Sequence, residues 1–207
     1  MLHQFKVLLW DFDGVIMDSM PTRTLGFSEV LKEYPEEQVK ELLNYHHING
    51  GLSRYVKFRY FFEKIRNESI TDEQVLQLSQ EFSVIMLSLL QNEKLLIADA
   101  VEFIREAAKK FKMHVVSGSD QTELRHICHA LGLDKYFISI HGSPTPKTEL
   151  VNQVIADNNY NKDEVVMIGD SINDYDAAHK NGISFCGYNS EAVRNLSGNY
   201  IEKFADL

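Results

Sequence analysis

The chain has 207 residues, 44% of them hydrophobic and 25% charged, with a formal net charge of −9. That is an ordinary water-soluble globular composition, and its acidity argues against nucleic acid or an anionic membrane surface as a partner. No apolar run approaches ~18 residues, so no membrane span or signal peptide is expected, and the expected location is the cytoplasm. The length suits one medium domain, or a core domain with a smaller one inserted, and a monomer or weak dimer is expected. Cys128 and Cys186 lie far apart in apolar contexts, with no metal-ligand spacing, and read as reduced core residues.

From Phe5 to Trp10 the chain is apolar except for Lys6, and the run stops at Asp11. It shows no period-2 alternation, so it reads as a strand buried on both faces, as in a parallel sheet. Asp13 and Gly14 follow, and the glycine permits a left-handed backbone. Ligands of open α/β sheets sit at the carboxyl ends of strands, which is where Asp11 and Asp13 fall. Like charges about 4 Å apart repel by roughly 4 kcal/mol at an effective dielectric near 20. Either one carboxyl stays protonated or a cation lies between them; the plain alternative is a solvated Asp-x-Asp turn.

Residues 21–90 read as amphipathic helices. Leu25, Val30, Leu31 and Tyr34 mark one, ended by Pro35. Val39, Leu42 and Leu43 mark a second, closing at Asn49-Gly50-Gly51. Tyr55, Phe58, Phe61, Phe62 and Ile65 carry helical spacing through a third. Thr71 with Gln74 forms a capping box for a fourth, which runs to Leu89. Residues 19–97 are far too long for an ordinary strand-to-helix connection and read as a second, helical domain covering the site. Its segment Ser53-Arg54-Tyr55-Val56-Lys57-Phe58-Arg59 is a positive patch. Arg54 and Lys57 share a helix face and either reach over the core site or are solvated; Arg59 points elsewhere and reads as a surface charge.

From residue 98 helix and strand alternate. Helices are expected over 98–111, 120–131, 146–158 and 173–181, and strands over 113–116, 136–140, 165–168 and 183–186. Residues 191–207 read as a short helix and a final strand. Such alternation argues for a doubly wound parallel sheet. Three strands then end in polar residues that converge at one edge: Asp11, Ser117 and Asp170. Ser117-Gly118 before a helix is an anion-binding turn, or else a plain cap by Ser119 or Asp120. Thr145-Pro146 reads as cap and first residue of a helix, which puts Lys147 at the wrong end of the helix dipole. Such a violation marks a functional lysine, or costs little if the lysine is exposed. Asp170 and Asp174 are hard oxygen ligands suited to Mg²⁺; helix capping could account for one of them. Around a divalent cation the cluster suits phosphoryl transfer. Asp11 would attack phosphorus, and Asp13 would protonate the leaving oxygen and then activate water.

The string Asp11-Phe12-Asp13-Gly14-Val15-Ile16-Met17-Asp18-Ser19 resembles the first motif of the haloacid dehalogenase-like phosphohydrolases. The segments at Ser117, Lys147 and Gly169-Asp170 resemble the later motifs in order, so the likeness spans Phe5 to about Gly187. The resemblance implies an α/β, Rossmann-like core (residues 1–18 and 92–207) and an inserted α-helical cap (residues 19–91). It implies that Asp11, Asp13, Ser117 and Lys147 are catalytic. Ser117, Gly118 and Lys147 would hold the phosphate, and the cap, through Arg54 and Lys57, would select the leaving group. The implied metal site for Mg²⁺ draws on Asp11, Asp13, Asp170 and Asp174, the last as ligand or support. Members that cleave carbon–halogen or carbon–phosphorus bonds lack an aspartate at the Asp13 position, so its presence favours phosphate ester chemistry. The likeness is to the phosphoglycolate phosphatase and β-phosphoglucomutase branch. The expected activity is therefore a phosphatase for a small phosphorylated metabolite, a sugar or organic-acid phosphate, through an aspartyl-phosphate. A sugar phosphomutase is the alternative. A non-enzymatic phospho-acceptor domain is the rival from another class, opposed by the long helical insertion.

Overall fold

The apolar run after Lys6 forms a fully buried strand, β1 (Val7–Trp10), at the centre of the computed structural model, which describes residues 2–196 and 198–207. Five further strands join it: β2 (Lys112–Asp120), β3 (Ser139–Ser143), β4 (Val165–Gly169), β5 (Ser184–Tyr188) and β6 (Tyr200–Ile201). Every pairing is parallel, and the order is β3-β2-β1-β4-β5-β6. The direction of winding reverses between β1 and β4, which is where such sheets open a crevice for ligands. Register brings the strand ends level, because Trp10 pairs with Val115 on one side and Ile168 on the other. The residues just beyond, Asp11, Ser117 and Asp170, therefore leave the sheet at one edge.

Helices α1 (Met20–Val30), α2 (Glu36–Ile48), α3 (Arg54–Tyr60) and α4 (Asp72–Leu89) follow β1, as the long amphipathic stretch predicts. Phe27 on α1 is their shared anchor, with ring centroids 4.6 Å from Phe82 on α4 and 5.3 Å from Phe58 on α3. Fully burying one such ring contributes about 1.5–3 kcal/mol. Gly26 lets α1 approach α4, since a Cβ there would fall 2.5 Å from Met86 Cε. Helices α5 (Ala98–Ala107), α6 (Gln121–Ala130), α7 (Lys147–Asp157) and α8 (Ile172–Asn181) then cover the sheet. Among the described residues no helix is long and apolar enough to cross a membrane. Cys128 and Cys186 are both buried, as their apolar contexts predict.

Several boundaries differ from the sequence-based expectation. Leu25 is exposed; the inward stripe of α1 is Arg23, Phe27 and Leu31, a charge where an apolar residue was expected. The third helix ends in a wider turn, Phe61–Ile65, with Arg66 N donating to Phe61 O five residues back. α5 stops at Ala107, short of Phe111. β2 continues to Asp120 across an irregularity at 116–120, so Ser117 and Ser119 sit on a bulged strand end. β3 starts at Ser139, with Asp134–Tyr136 a single helical turn instead of strand. Pro146 caps α7 through its extended backbone, and Thr145 is one residue further out. The C-terminal part holds one turn, Glu191–Val193, and β6; position 197 lies outside the described residues.

The capping box is present: Thr71 N donates to Gln74 Oε1 at 2.9 Å, and Gln74 N to Thr71 Oγ1 at 3.2 Å. Thr71→Ala should cost about 1 kcal/mol. In a chain of this size the thermal midpoint should fall by about 2–4 °C. Differential scanning calorimetry checks this, and an unchanged midpoint would show that α4 stands without its cap.

Candidate active site

Asp11 is buried where β1 ends. Its Oδ1 accepts from Phe12 N at 2.8 Å and from Lys147 Nζ at 2.9 Å. Lys147 is the first residue of α7 and also donates to Asp174 Oδ1. It is therefore a buried ammonium at the unfavourable helix end, tied to two carboxylates, and the exposed-surface alternative is excluded. Burial works against the Lys147 charge, but Asp11 and Asp174 outweigh it and hold its pKa above the ordinary value.

Asp174 serves two masters. Its Oδ2 accepts from Ser171 N at 3.0 Å and Ser171 Oγ at 2.7 Å, closing a capping box at the start of α8. Helix capping and the lysine contact together occupy both oxygens. Asp170 lies beside Gly14, whose left-handed backbone leaves no room for a Cβ against the Asp170 carboxylate. Asp11, Asp170 and Asp174 each offer an oxygen within 4.8 Å of the others. Burial pushes Asp11 up to about 7, with the Asp174 charge adding to it against the pull of Lys147. Burial pushes Asp170 up to about 9, with Asp11 next. One lysine does not neutralise three carboxylates, two buried and one half-buried, so this donor set fits a divalent cation with oxygen preference.

Asp13 is placed differently. Its carboxylate accepts from Ser19 Oγ and from Arg23 Nε at 2.6 Å on Oδ1, and from Ser119 Oγ at 2.5 Å on Oδ2. Its carboxylate is not one of the three that approach one another at the Asp11, Asp170 and Asp174 group. Burial alone would raise its pKa, but Arg23, Ser119 and Ser19 outweigh that and hold it below the usual carboxylate value. Ser117 is buried, and its Oγ accepts from Ser119 N at 3.2 Å. Gly118 faces the helical insert so closely that a Cβ there would run into the Gly51 carbonyl. Asn173 Nδ2 donates to the same carbonyl at 2.9 Å. Tyr55 OH donates to Asp120 Oδ2 at 2.7 Å. The insert is thus closed onto the strand ends.

A cavity of about 230 Å³ lies between them, lined by Asp11, Asp13, Ser117, Gly118 and Asp170 from the sheet side. Arg54 and Lys57 line it from the insert, and both are buried, so the solvated alternative fails for them. Arg59 is partly exposed and pairs with Asp72 and Glu63, as expected of a surface charge. Two residues not singled out from the sequence join these groups: Arg23, which lines the cavity, and Glu123, which does not but contacts both arginines. Arg23 Nη1 lies 3.1 Å from Glu123 Oε1, and Arg54 Nη2 lies 2.7 Å from Glu123 Oε2. Glu123 is buried between the two guanidiniums. Arg23 falls four residues before Phe27, and Glu123 four before Ile127. A charge on an otherwise apolar stripe was the available signal.

The sequence profile described as haloacid dehalogenase-like hydrolase matches residues 8–188. A phosphoglycolate phosphatase of Mannheimia succiniciproducens is 26% identical over 222 aligned positions, covering 100% of this chain and 98% of that protein. Among solved structures, CbbY from Rhodobacter sphaeroides in complex with xylulose-1,5-bisphosphate superposes with a TM-score of 0.79 at 14% identity. That alignment covers 98% of this chain and 96% of the other. YfnB from Bacillus subtilis, bound to magnesium, superposes with a TM-score of 0.71 at 17% identity, over 98% and 96% of the two chains.

Two outcomes follow from the charges. The raised Asp11 and Asp170 pKa values favour the protonated fold: that contribution is full below the ordinary carboxylate pKa of about 4 and is lost as pH rises through about 7 and 9. A cation needs the ionised carboxylates, so Mg²⁺ should raise the thermal midpoint more at pH 8 than at pH 6. At 100 times its Kd the gain is about 2.7 kcal/mol. A thermal-shift titration at both pH values checks this; an equal or larger shift at pH 6 would remove the cation site. Secondly, Arg23→Met leaves Asp13 and Glu123 facing each other without their shared cation. It should cost about 3–5 kcal/mol in urea unfolding, and a loss below about 1 kcal/mol would show that the pairing is inert.

Proposed function

Since the chain belongs to the haloacid dehalogenase-like hydrolases, we propose that it is a Mg²⁺-dependent phosphatase of small phosphate esters. The observation that carries this reading is Asp11: a buried strand-end carboxylate fixed through one oxygen by Phe12 N and Lys147, beside Asp13 on the same loop. We take residues 1–18 and 92–207 as the catalytic core and 19–91 as its cap. Asp11, Asp170 and Asp174 would hold the cation, which would supply charge neutralisation for the phosphoryl oxygens. The Asp13 side chain is kept for proton transfer.

Fixing Oδ1 of Asp11 orients the other oxygen as nucleophile. It attacks phosphorus, the bond to the ester oxygen breaks, and an aspartyl-phosphate forms. Lys147, Ser117 Oγ and the backbone at Gly118 meet the charge on the phosphoryl oxygens. The leaving oxygen takes a proton from Asp13. Asp13 then removes a proton from water, which attacks phosphorus, releases phosphate and restores Asp11. Held by Arg23, Asp13 is already in the ionised state that the second step needs. For the first step it must exchange Arg23 for the leaving oxygen and carry a proton. The cap, closed over the cavity through Gly51, keeps bulk water from the first step. The phosphoglycolate phosphatase name of a relative and the bisphosphate held by CbbY both support a small phosphorylated metabolite as substrate. A screen of sugar and organic-acid phosphates with free-phosphate detection identifies it, and isomerised product without phosphate release would point to a mutase.

Asp11→Asn should abolish turnover, by at least ~10³-fold, while leaving the thermal midpoint unchanged or higher, because an amide neither attacks phosphorus nor repels Asp174. A variant that retains near-wild-type rates, with its sequence confirmed by mass spectrometry, would rule out the covalent route.

A further inference from the structure

The cap wall of the cavity carries more positive charge than the steps above use. Arg23 is set against Asp13 and Glu123, and Arg54 against Glu123, with Arg54 Nη1 also 2.7 Å from Ser83 Oγ. Lys57 lies 2 % exposed, with Nζ 2.9 Å from His46 Nδ1 and 3.1 Å from Gly50 O. Neither partner is a carboxylate. Three cations thus face two carboxylates, and one positive charge is left over. Burial, with the Arg23 charge next, pushes the Lys57 ammonium down to about 7, the behaviour of a cation lacking a counter-charge.

Unused donors point the same way. With the ammonium donating to His46 Nδ1, the ring proton must sit on Nε2. That nitrogen is buried and has no hydrogen-bond partner. Arg23 Nη2 is also buried without a hydrogen-bond partner, whereas Arg54 Nη2 is taken by Glu123 Oε2 at 2.7 Å. All four side chains line the one cavity that holds Asp11. Orphaned buried donors are costly unless a ligand satisfies them.

Resting on the phosphatase reading, we infer that the substrate's leaving group carries a single carboxylate, bound by Lys57, His46 Nε2 and the free guanidinium nitrogen of Arg23, Nη2. A carboxylate offers acceptors alone and one negative charge, which matches the surplus. A second phosphate dianion would overshoot it. A hydroxyl supplies no charge and brings a hydrogen to a wall made of donors. The Lys57–His46 pair is thereby a specificity-determining element, separate from the groups that act on phosphorus.

The test compares kcat/KM, by phosphate release in Mg²⁺, for three esters of one backbone: 2-phosphoglycolate, 2-hydroxyethyl phosphate and ethylene glycol bisphosphate. The wild type should favour the carboxylate over the alcohol by about 100-fold or more, with the bisphosphate no better than the alcohol. In Lys57→Met the carboxylate-to-alcohol ratio should fall by at least ~30-fold, and Lys57→Arg should recover part of it. His46→Phe, which removes the Nε2 donor, should cut the ratio about 10-fold and gives a second reading if Lys57→Met does not fold. A wild-type preference for the alcohol or the bisphosphate overturns the inference and leaves the phosphatase standing. So does a loss in the lysine and histidine variants that is equal on all esters. No phosphate release from these esters or from a generic aryl phosphate overturns the phosphatase reading, and this inference with it.

Discussion

The rest of the site depends on one buried ammonium. Lys147 stands at the first turn of α7, where the helix dipole opposes it and burial strips it of water. It stays charged because Asp11 and Asp174 close on it from two other elements. The three groups lock one another. Asp11 keeps a fixed rotamer, α8 keeps its start through Ser171 and Asp174, and α7 is anchored to the sheet edge. Buried ion pairs add little net stability, since desolvation offsets attraction, but they penalise every other arrangement of the same groups. Here that specificity fixes the Asp11 carboxylate. Stability comes from elsewhere, from the unbroken apolar faces of β1 and β4 and the aromatic packing around Phe27 and Trp10.

A second group of charges joins cap to core. Asp13 and Glu123 come from the sheet side, Arg23 and Arg54 from the inserted helices, and they alternate in sign as a chain of ion pairs. The contact between insert and sheet side therefore holds together charges that are costly apart. It also links Asp13, through Arg23 and Glu123, to Arg54 on the other side of the cavity. Arg23 is the common member, set between Asp13 and Glu123.

Much of this was legible in the sequence, and the limits have physical causes. The unbroken apolar run before Asp11 announced a strand buried on both faces, and helix–strand alternation after residue 98 announced the parallel sheet. Strand ends are read from where apolar residues stop, so Asp11 and Asp170 were found; β2 hid its end because its bulge carries Ser117 to Asp120 beyond the apolar run. Lys147 was visible as a violation of dipole preference. Arg54 and Lys57 were visible as a local positive patch, but their burial was not, because helical periodicity does not say which face another domain will cover. Arg23 and Glu123 went unseen for a different reason. Each neutralises a partner roughly 100 residues away or nearby only in space, and no local pattern encodes such a pairing. The outward turn of Leu25 is the same error in reverse, an apolar residue that yielded the inner stripe to a charge.

Glu123 also bears on how this architecture can be recombined. Inserted helical domains of this kind invite treatment as cassettes, exchanged between scaffolds to change what a common chemistry acts on. In this chain the boundary is not clean. Glu123 belongs to the scaffold, yet both of its counter-charges arrive with the insert. A chimera carrying foreign helices would strand an acidic group in a dry interior, and the same helices moved elsewhere would carry two unmatched guanidiniums. The heritable unit is therefore the insert together with the first turn of α6, two segments separated by some thirty residues of chain. Recombination that cuts only at the two hinges would break it.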